Sequence, residues 1–171
     1  MRICRGNLKG RILRIPKVEG LRVTETKVRE ALWSILYKYP KGSFLDLFSG
    51  SGIVAIEAYS IGFSPVEAVE LNKKLCEFIK KNSKDFEITI NVYNKDAIDF
   101  LKKIKKEYDY IFLDPPYQFP KISTVLTLSL KILSKDGILI LENPPNFSYH
   151  IEPFKIYRYG KTNLYFFNKE I

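Results

Sequence analysis

The sequence predicts an α/β fold built on a mostly parallel sheet with helices on both faces. Three observations predict it. Short apolar strand-like runs alternate with helix-like stretches after Pro40 and Gly42, a Gly-rich turn joins the first run to the first helix, and the last two runs stand too close for a helical crossover. The 171 residues suit one domain with a full core, and 46% hydrophobic with 27% charged residues excludes a disordered chain.

The elements follow in order. Residues 24–40, TETKVREALWSILYKYP, read as a helix, with Thr24 a possible N-cap and Val28, Ala31, Leu32, Ile35 and Leu36 on one apolar face. SFLDLF (43–48) is the first strand and IVAIEAYSIG its helix. VEAVEL (66–71) is the second strand, followed over 72–84 by an amphipathic helix whose lysines are its wet face. ITINVY (88–93), YDYIFLD (108–114) and GILILE (137–142) supply three more strands. DAIDFLKKIKK precedes the second of these, and KISTVLTLSLKIL, weakened as a helix by its β-branched residues, precedes the third. FKIYRYG and TNLYFFNK, joined at Gly160-Lys161, must pair antiparallel. Between them and Glu142, NPPNFSYHIEP is too short and proline-rich for a full helix.

Charge is unevenly spread. Residues 1–42 hold 11 Lys+Arg against 3 Asp+Glu, a balance of +8, while residues 43–171 hold 17 against 16, a balance of +1. Six of the seven arginines lie in the first part, and a guanidinium matches phosphate oxygens bidentately. The pattern suggests a nucleic-acid footprint. Apolar Ile3, Leu8, Ile12, Leu13, Ile15 and Leu21 interrupt the charges, so residues 1–24 are expected to form a folded, hairpin-like basic arm before a globular domain at 25–171.

Two cysteines and one histidine cannot build a disulfide framework or a Cys/His zinc site, and no clustered ligand set points to any metal. Cys76 has the helical spacing of a core-facing thiol. The basic start has no signal-peptide core and no apolar run is long enough to span a membrane, so a cytoplasmic protein with no membrane partner is expected.

Three features carry chemistry. FLDLFSGSG places Gly50 and Gly52 where a ligand can approach the backbone and a helix N-terminus. It lacks the dinucleotide G-x-G-x-x-G spacing. Glu70 closes the second strand, where a carboxylate can accept from ribose hydroxyls. Asp96 follows the third, where it can meet an adenine amine or merely cap a helix. These suit a nucleoside with a small polar tail. Asp114-Pro115-Pro116-Tyr117 ends the fourth strand, either as a rigid turn with an incidental acid or as a fixed carboxylate, carbonyl and aromatic face.

Taken with MRICRGNLKGRILRIP, LRVTETKVREAL, FLDLFSGSG, IFLDPPY and YGKTNLYF, these motifs resemble, in order over nearly the whole chain, the RsmD family of S-adenosylmethionine-dependent methyltransferases. Val23 stands where that family usually has Pro. The resemblance implies a Rossmann-like class I methyltransferase fold of about seven strands, the last antiparallel. It implies methyl transfer to the exocyclic N2 amine of a guanine in 16S rRNA, with that RNA or the assembled small ribosomal subunit as partner. S-adenosyl-L-methionine would be held by Asp46, Phe48, Gly50, Gly52, Glu70, Leu71, Asp96 and Ala97. RNA would be held by Arg5, Lys9, Arg11, Arg22, Thr24 and Arg29. Asp114 and the Pro115 carbonyl would each accept one amine hydrogen, Pro116 would hold the turn rigid, and Tyr117 would stack on the base. Adenine-N6 methylation, a non-enzymatic RNA-binding module with a vestigial pocket, and an NAD-dependent oxidoreductase are the alternatives. The last is disfavoured by the short Gly loop.

Overall fold

The computed structural model describes residues 1–117, 119–145 and 150–169. Its centre is strand β1 (Phe44–Leu47), buried along its whole length, as the continuous apolar run requires of a strand covered on both faces. β1 pairs in parallel with β2 (Val66–Glu70) on one side and β4 (Tyr108–Leu113) on the other. β3 (Asn91–Asn94) extends the sheet beyond β2, and β5 (Leu133–Asn143) extends it beyond β4. β7 (Thr162–Phe167) runs antiparallel to β5, and β6 (Lys155–Tyr159) antiparallel to β7. The seven strands therefore stand in the order β3-β2-β1-β4-β5-β7-β6.

Alternate residues of each strand feed opposite layers. Phe44, Ala68, Phe112, Ile140 and Phe166 pack with α1 (Thr26–Leu36), α2 (Ile53–Ser60) and α3 (Lys73–Asp85). Leu45, Val69, Leu113, Leu139 and Tyr165 pack with α4 (Ala97–Lys103) and α5 (Ile122–Lys131). Cys76 is buried and donates its Sγ–H to the Glu70 carbonyl at 3.3 Å. Among the described residues no helix is long and apolar enough to cross a membrane.

Three sequence expectations shift. α1 starts at Thr26 with Glu25 at its cap and no side-chain cap bond, because the Thr24 hydroxyl is used elsewhere. The third strand is Asn91–Asn94 rather than 88–93, and β5 begins at Leu133 with a register shift against β4. Within the proline-rich segment after Glu142, the expectation of no full helix falls partly on residues 146–149, which lie outside the described residues.

The N-terminal segment is hairpin-like, with backbone bonds from Ile3 N–H to the Arg11 carbonyl and from Gly10 N–H to the Ile3 carbonyl. It does not stand apart as an arm. Ile3, Leu8 and Leu13 are buried in the same core layer as α1 and α2. A Cβ on Gly6 would sit 2.0 Å from the Ser60 carbonyl oxygen, so the strap lies backbone to backbone on the end of α2. Residues on both sides of residue 24 thus share one core layer.

Candidate functional site

The order of the sheet reverses between β1 and β4, and open α/β sheets place ligand crevices at such a point. A cleft of about 430 Å³ lies at the carboxyl ends of these strands. Its walls include Asp46, Phe48 and Gly50 after β1, Glu70 and Leu71 after β2, and Asp96 and Ala97 opening α4.

Glu70 organises the first wall. Its two oxygens accept from the backbone N–H groups of Gly50 and Asn72, each at 2.8 Å, which ties the Gly-rich loop to the end of β2. Phe48 takes a left-handed φ of 69°, a conformation costing a non-glycine residue roughly 1–3 kcal/mol and characteristic of ligand loops. Asp46 lies beneath the loop, 1% exposed, accepting from Ser49 Oγ at 2.7 Å and the Ala55 N–H at 3.2 Å. Burial pushes its carboxyl up to about 7 and the Glu70 charge adds to the rise, against the opposing pull of those two bonds.

Asp96 is the N-cap of α4, its Oδ1 accepting from the Ile98 and Asp99 N–H groups, and it also stands on the cleft wall. Gly52 differs from the expectation. It lies behind the wall, where a Cβ would stand 2.6 Å from Ile79 Cγ1, so packing against α3 demands glycine there.

Asp114, Pro116 and Tyr117 line the same cleft. Asp114 is only 9% exposed, accepts from the Thr24 hydroxyl at 2.8 Å through Oδ2, and ion-pairs through Oδ1 with Arg22 Nη2. The Arg22 guanidinium also donates to the Pro115 carbonyl at 3.4 Å and to Glu142 Oε1 at 3.4 Å. Its Cζ lies 4.2 Å from the centroid of the Tyr117 ring. The Pro115 carbonyl, expected free of any partner, is thus engaged by Arg22. Residues 18–24 wall the cleft as well, so the end of the supposed arm belongs to the site.

Arg29 is misplaced by the sequence reading, since a wholly buried side chain cannot meet a phosphate backbone, and Thr24, 6% exposed, lines the cleft. Arg29 is wholly buried and pairs with Glu57, itself wholly buried in α2. Arg29 Nε also donates to the Thr24 carbonyl at 3.2 Å. Arg29 thus fixes Thr24, and Thr24 fixes Asp114. A lone Glu57 in an otherwise apolar helix was the available sign that a buried cation must face it.

Of the remaining basic candidates, Lys9 is exposed, Arg5 donates to Ser34 Oγ at 2.7 Å, and Arg11 lies over the Phe86 ring while donating to the Asp85 carbonyl at 3.2 Å. Gly10, Arg11, Arg14, Lys81 and Asn82 border an open groove between the strap and α3. Glu142, which sequence reasoning passed over, stands one residue before the end of β5 and shares Arg22 with Asp114; an acid near the end of an apolar strand was the signal. Among the described residues no three His, Cys, Asp or Glu side chains gather where they could hold a metal ion.

Comparison with known proteins gives a consistent picture. The family described as "Conserved hypothetical protein 95" matches residues 1–168. The chain is 36% identical over 145 residues to "Ribosomal RNA small subunit methyltransferase D" of Buchnera aphidicola (subsp. Acyrthosiphon pisum), covering 82% of this chain and 76% of that protein. It is 34% identical to the Haemophilus influenzae protein of the same name, over 75% of this chain and 69% of the other. A solved hypothetical protein of Thermus thermophilus superposes with a TM-score of 0.87 at 26% identity, covering 98% of this chain and 99% of its own.

Proposed function

The chain belongs to the family described as Conserved hypothetical protein 95, the RsmD family of the sequence resemblance, and on that premise we propose that it methylates a guanine N2 amine in small-subunit ribosomal RNA, using S-adenosylmethionine. One observation carries the reading. The Asp114 carboxylate at the end of β4 and the Glu70 carboxylate at the end of β2 line a single cleft.

The residues of that cleft fit the cofactor. Glu70 ends β2 where ribose hydroxyls can donate to it, and its oxygens already hold the loop in place. Asp96 keeps Oδ2 for an adenine amine while Oδ1 caps α4. The exposed Leu71 supplies an apolar edge. When bound, S-adenosylmethionine supplies a methyl group on a positively charged sulfur.

This chain's own residues do the rest. The lone pair of a guanine amine is delocalised into the ring, so an acceptor on each hydrogen is needed to localise and aim it. Asp114 is one acceptor and the Pro115 carbonyl the other. Positive charge would develop on the nitrogen as the N–C bond forms and the sulfur–methyl bond breaks, the sulfur leaving neutral. The largely desolvated Asp114 carboxylate would stabilise that charge, and the surplus N–H proton would pass to Asp114 or to solvent. Tyr117, half-exposed, offers a face for the base. A base reaches this depth only when flipped out or already unpaired.

The test is transfer of labelled methyl to undermethylated small-subunit RNA, naked or in particles, alongside large-subunit RNA and DNA. Label in small-subunit RNA alone is expected. Label in DNA, or in no nucleic acid, would overturn the reading.

A further inference from the structure

We infer that Glu142 is a specificity residue that reads the N1–H of the target guanine, and that the Arg22 guanidinium occupies the place this base will take. The inference rests on the guanine reading above.

Guanine contains a guanidine: C2 is bonded to N1, N2 and N3. Arginine carries the same unit, with Cζ bonded to Nη1, Nη2 and Nε. The contacts of Arg22 follow that correspondence. Nη2 lies on Asp114 and the Pro115 carbonyl, the two acceptors assigned to the N2 amine. Nη1 points to Glu142 Oε1 at 3.4 Å, in the position of N1–H. Cζ lies 4.2 Å from the centroid of the Tyr117 ring, the aromatic face assigned to the base. The site therefore already holds a planar group with the donor pattern of guanine's edge.

Besides Arg22, Glu142 has the Thr162 side chain as a polar neighbour. It is 2% exposed, its Oε2 is buried without a hydrogen-bond partner, and Arg22 is its only ion-pair partner among the described residues. Once a base displaces Arg22, whose side chain is 29% exposed and can swing outward, Glu142 would lose its ion-pair partner and the donor at Oε1. A guanine restores the lost bond through N1–H. An adenine cannot, because its N1 beside the N6 amine is an acceptor and would face the carboxylate lone pair to lone pair. A buried acceptor left without a donor is what lets a site reject an analogue strongly.

The probe is 2-aminopurine, which keeps the 2-amine but has no hydrogen on N1. Once the methylated position is mapped, short RNAs carry guanine or 2-aminopurine there, and kcat/KM is measured for each. The wild type should prefer guanine by about tenfold or more. In Glu142→Gln the amide N–H can meet a bare N1, so the preference should shrink by about tenfold. Comparing the two ratios cancels any intrinsic difference between the amines. Wild-type indifference to the replacement would overturn the inference without any variant having to fold. So would an unchanged ratio in a folded Glu142→Gln protein, with guanine methylation intact. If the wild type methylates no guanine at all, the functional reading falls first and this inference with it.

Discussion

Asp114 illustrates how a residue's role is set by neighbours far away in the chain. Its local sequence shows a carboxylate held by prolines, but its partner Thr24 comes from 90 residues earlier. That long-range bond is also why the α1 cap moved from Thr24 to Glu25. Asp114→Ala should leave the fold and cofactor binding largely intact and lower methyl transfer by about 10²-fold or more, the scale for losing a preorganised polar contact. Unchanged turnover in a folded variant would make the strand-end aspartate merely structural. Asp46 makes a second prediction. Burial lifts its folded value to about 7 from an ordinary value of 3.8. The native state thus holds a proton that the unfolded chain has released. Its contribution to stability is full below about 3.8 and is lost as pH rises to about 7. Denaturation of wild type and Asp46→Asn between about pH 4 and pH 8 should show the variant gaining on the wild type as pH rises. A gap independent of pH would mean Asp46 is ionised throughout.

Elements follow the periodicity of the sequence closely wherever burial is one-sided or complete, and less closely elsewhere. β1 and β4 stand where their apolar runs placed them. β3, an edge strand with exposed ends, slipped to Asn91–Asn94 because no buried face pins its boundaries. The N-terminal strap was legible as a hairpin but not as part of the core, since its docking depends on Glu57, which receives Cys4 N–H at 2.8 Å, Trp33 Nε1 at 2.7 Å and the Arg29 guanidinium. Burial, together with the Glu57 charge, pushes the Cys4 thiol up to about 12, so it stays protonated. Removing one partner of a buried ion pair leaves a charge without compensation, and Glu57→Gln should cost about 3–5 kcal/mol in chemical denaturation. Adding Arg29→Met should recover much of that loss. A single-variant cost below about 1 kcal/mol would show the pair to be solvated.

Across the whole molecule the uneven charge and the cleft are both consistent with the RNA substrate proposed above. The N-terminal quarter is basic, yet Arg29 is spent on the core and Arg22 on the cleft, so the exposed residues for phosphate contact are fewer than the composition implied. Arg5, Lys9 and Arg11 remain at the surface, away from the cleft walls. Replacing all three with Ala should weaken RNA binding and shallow its log–log salt slope by about 2–3, near one unit per lost phosphate contact. Cofactor affinity should barely change, and an unaltered slope would reduce the cluster to a solvated surface. The succession of strands and helices and the positions of the strand-end acids were readable because alternation and strand-end residues are local signals, whereas the lateral order of the strands is set by long-range pairing. The convergence of Arg22, Thr24 and Glu142 on Asp114 was not readable either, because it joins three distant parts of the chain. The most direct measurement is the identity of the methylated nucleoside. RNA methylated by the wild type is digested to nucleosides and resolved by mass spectrometry against standards. N2-methylguanosine is the result the account predicts; N6-methyladenosine, or label on any other nucleoside, would contradict it.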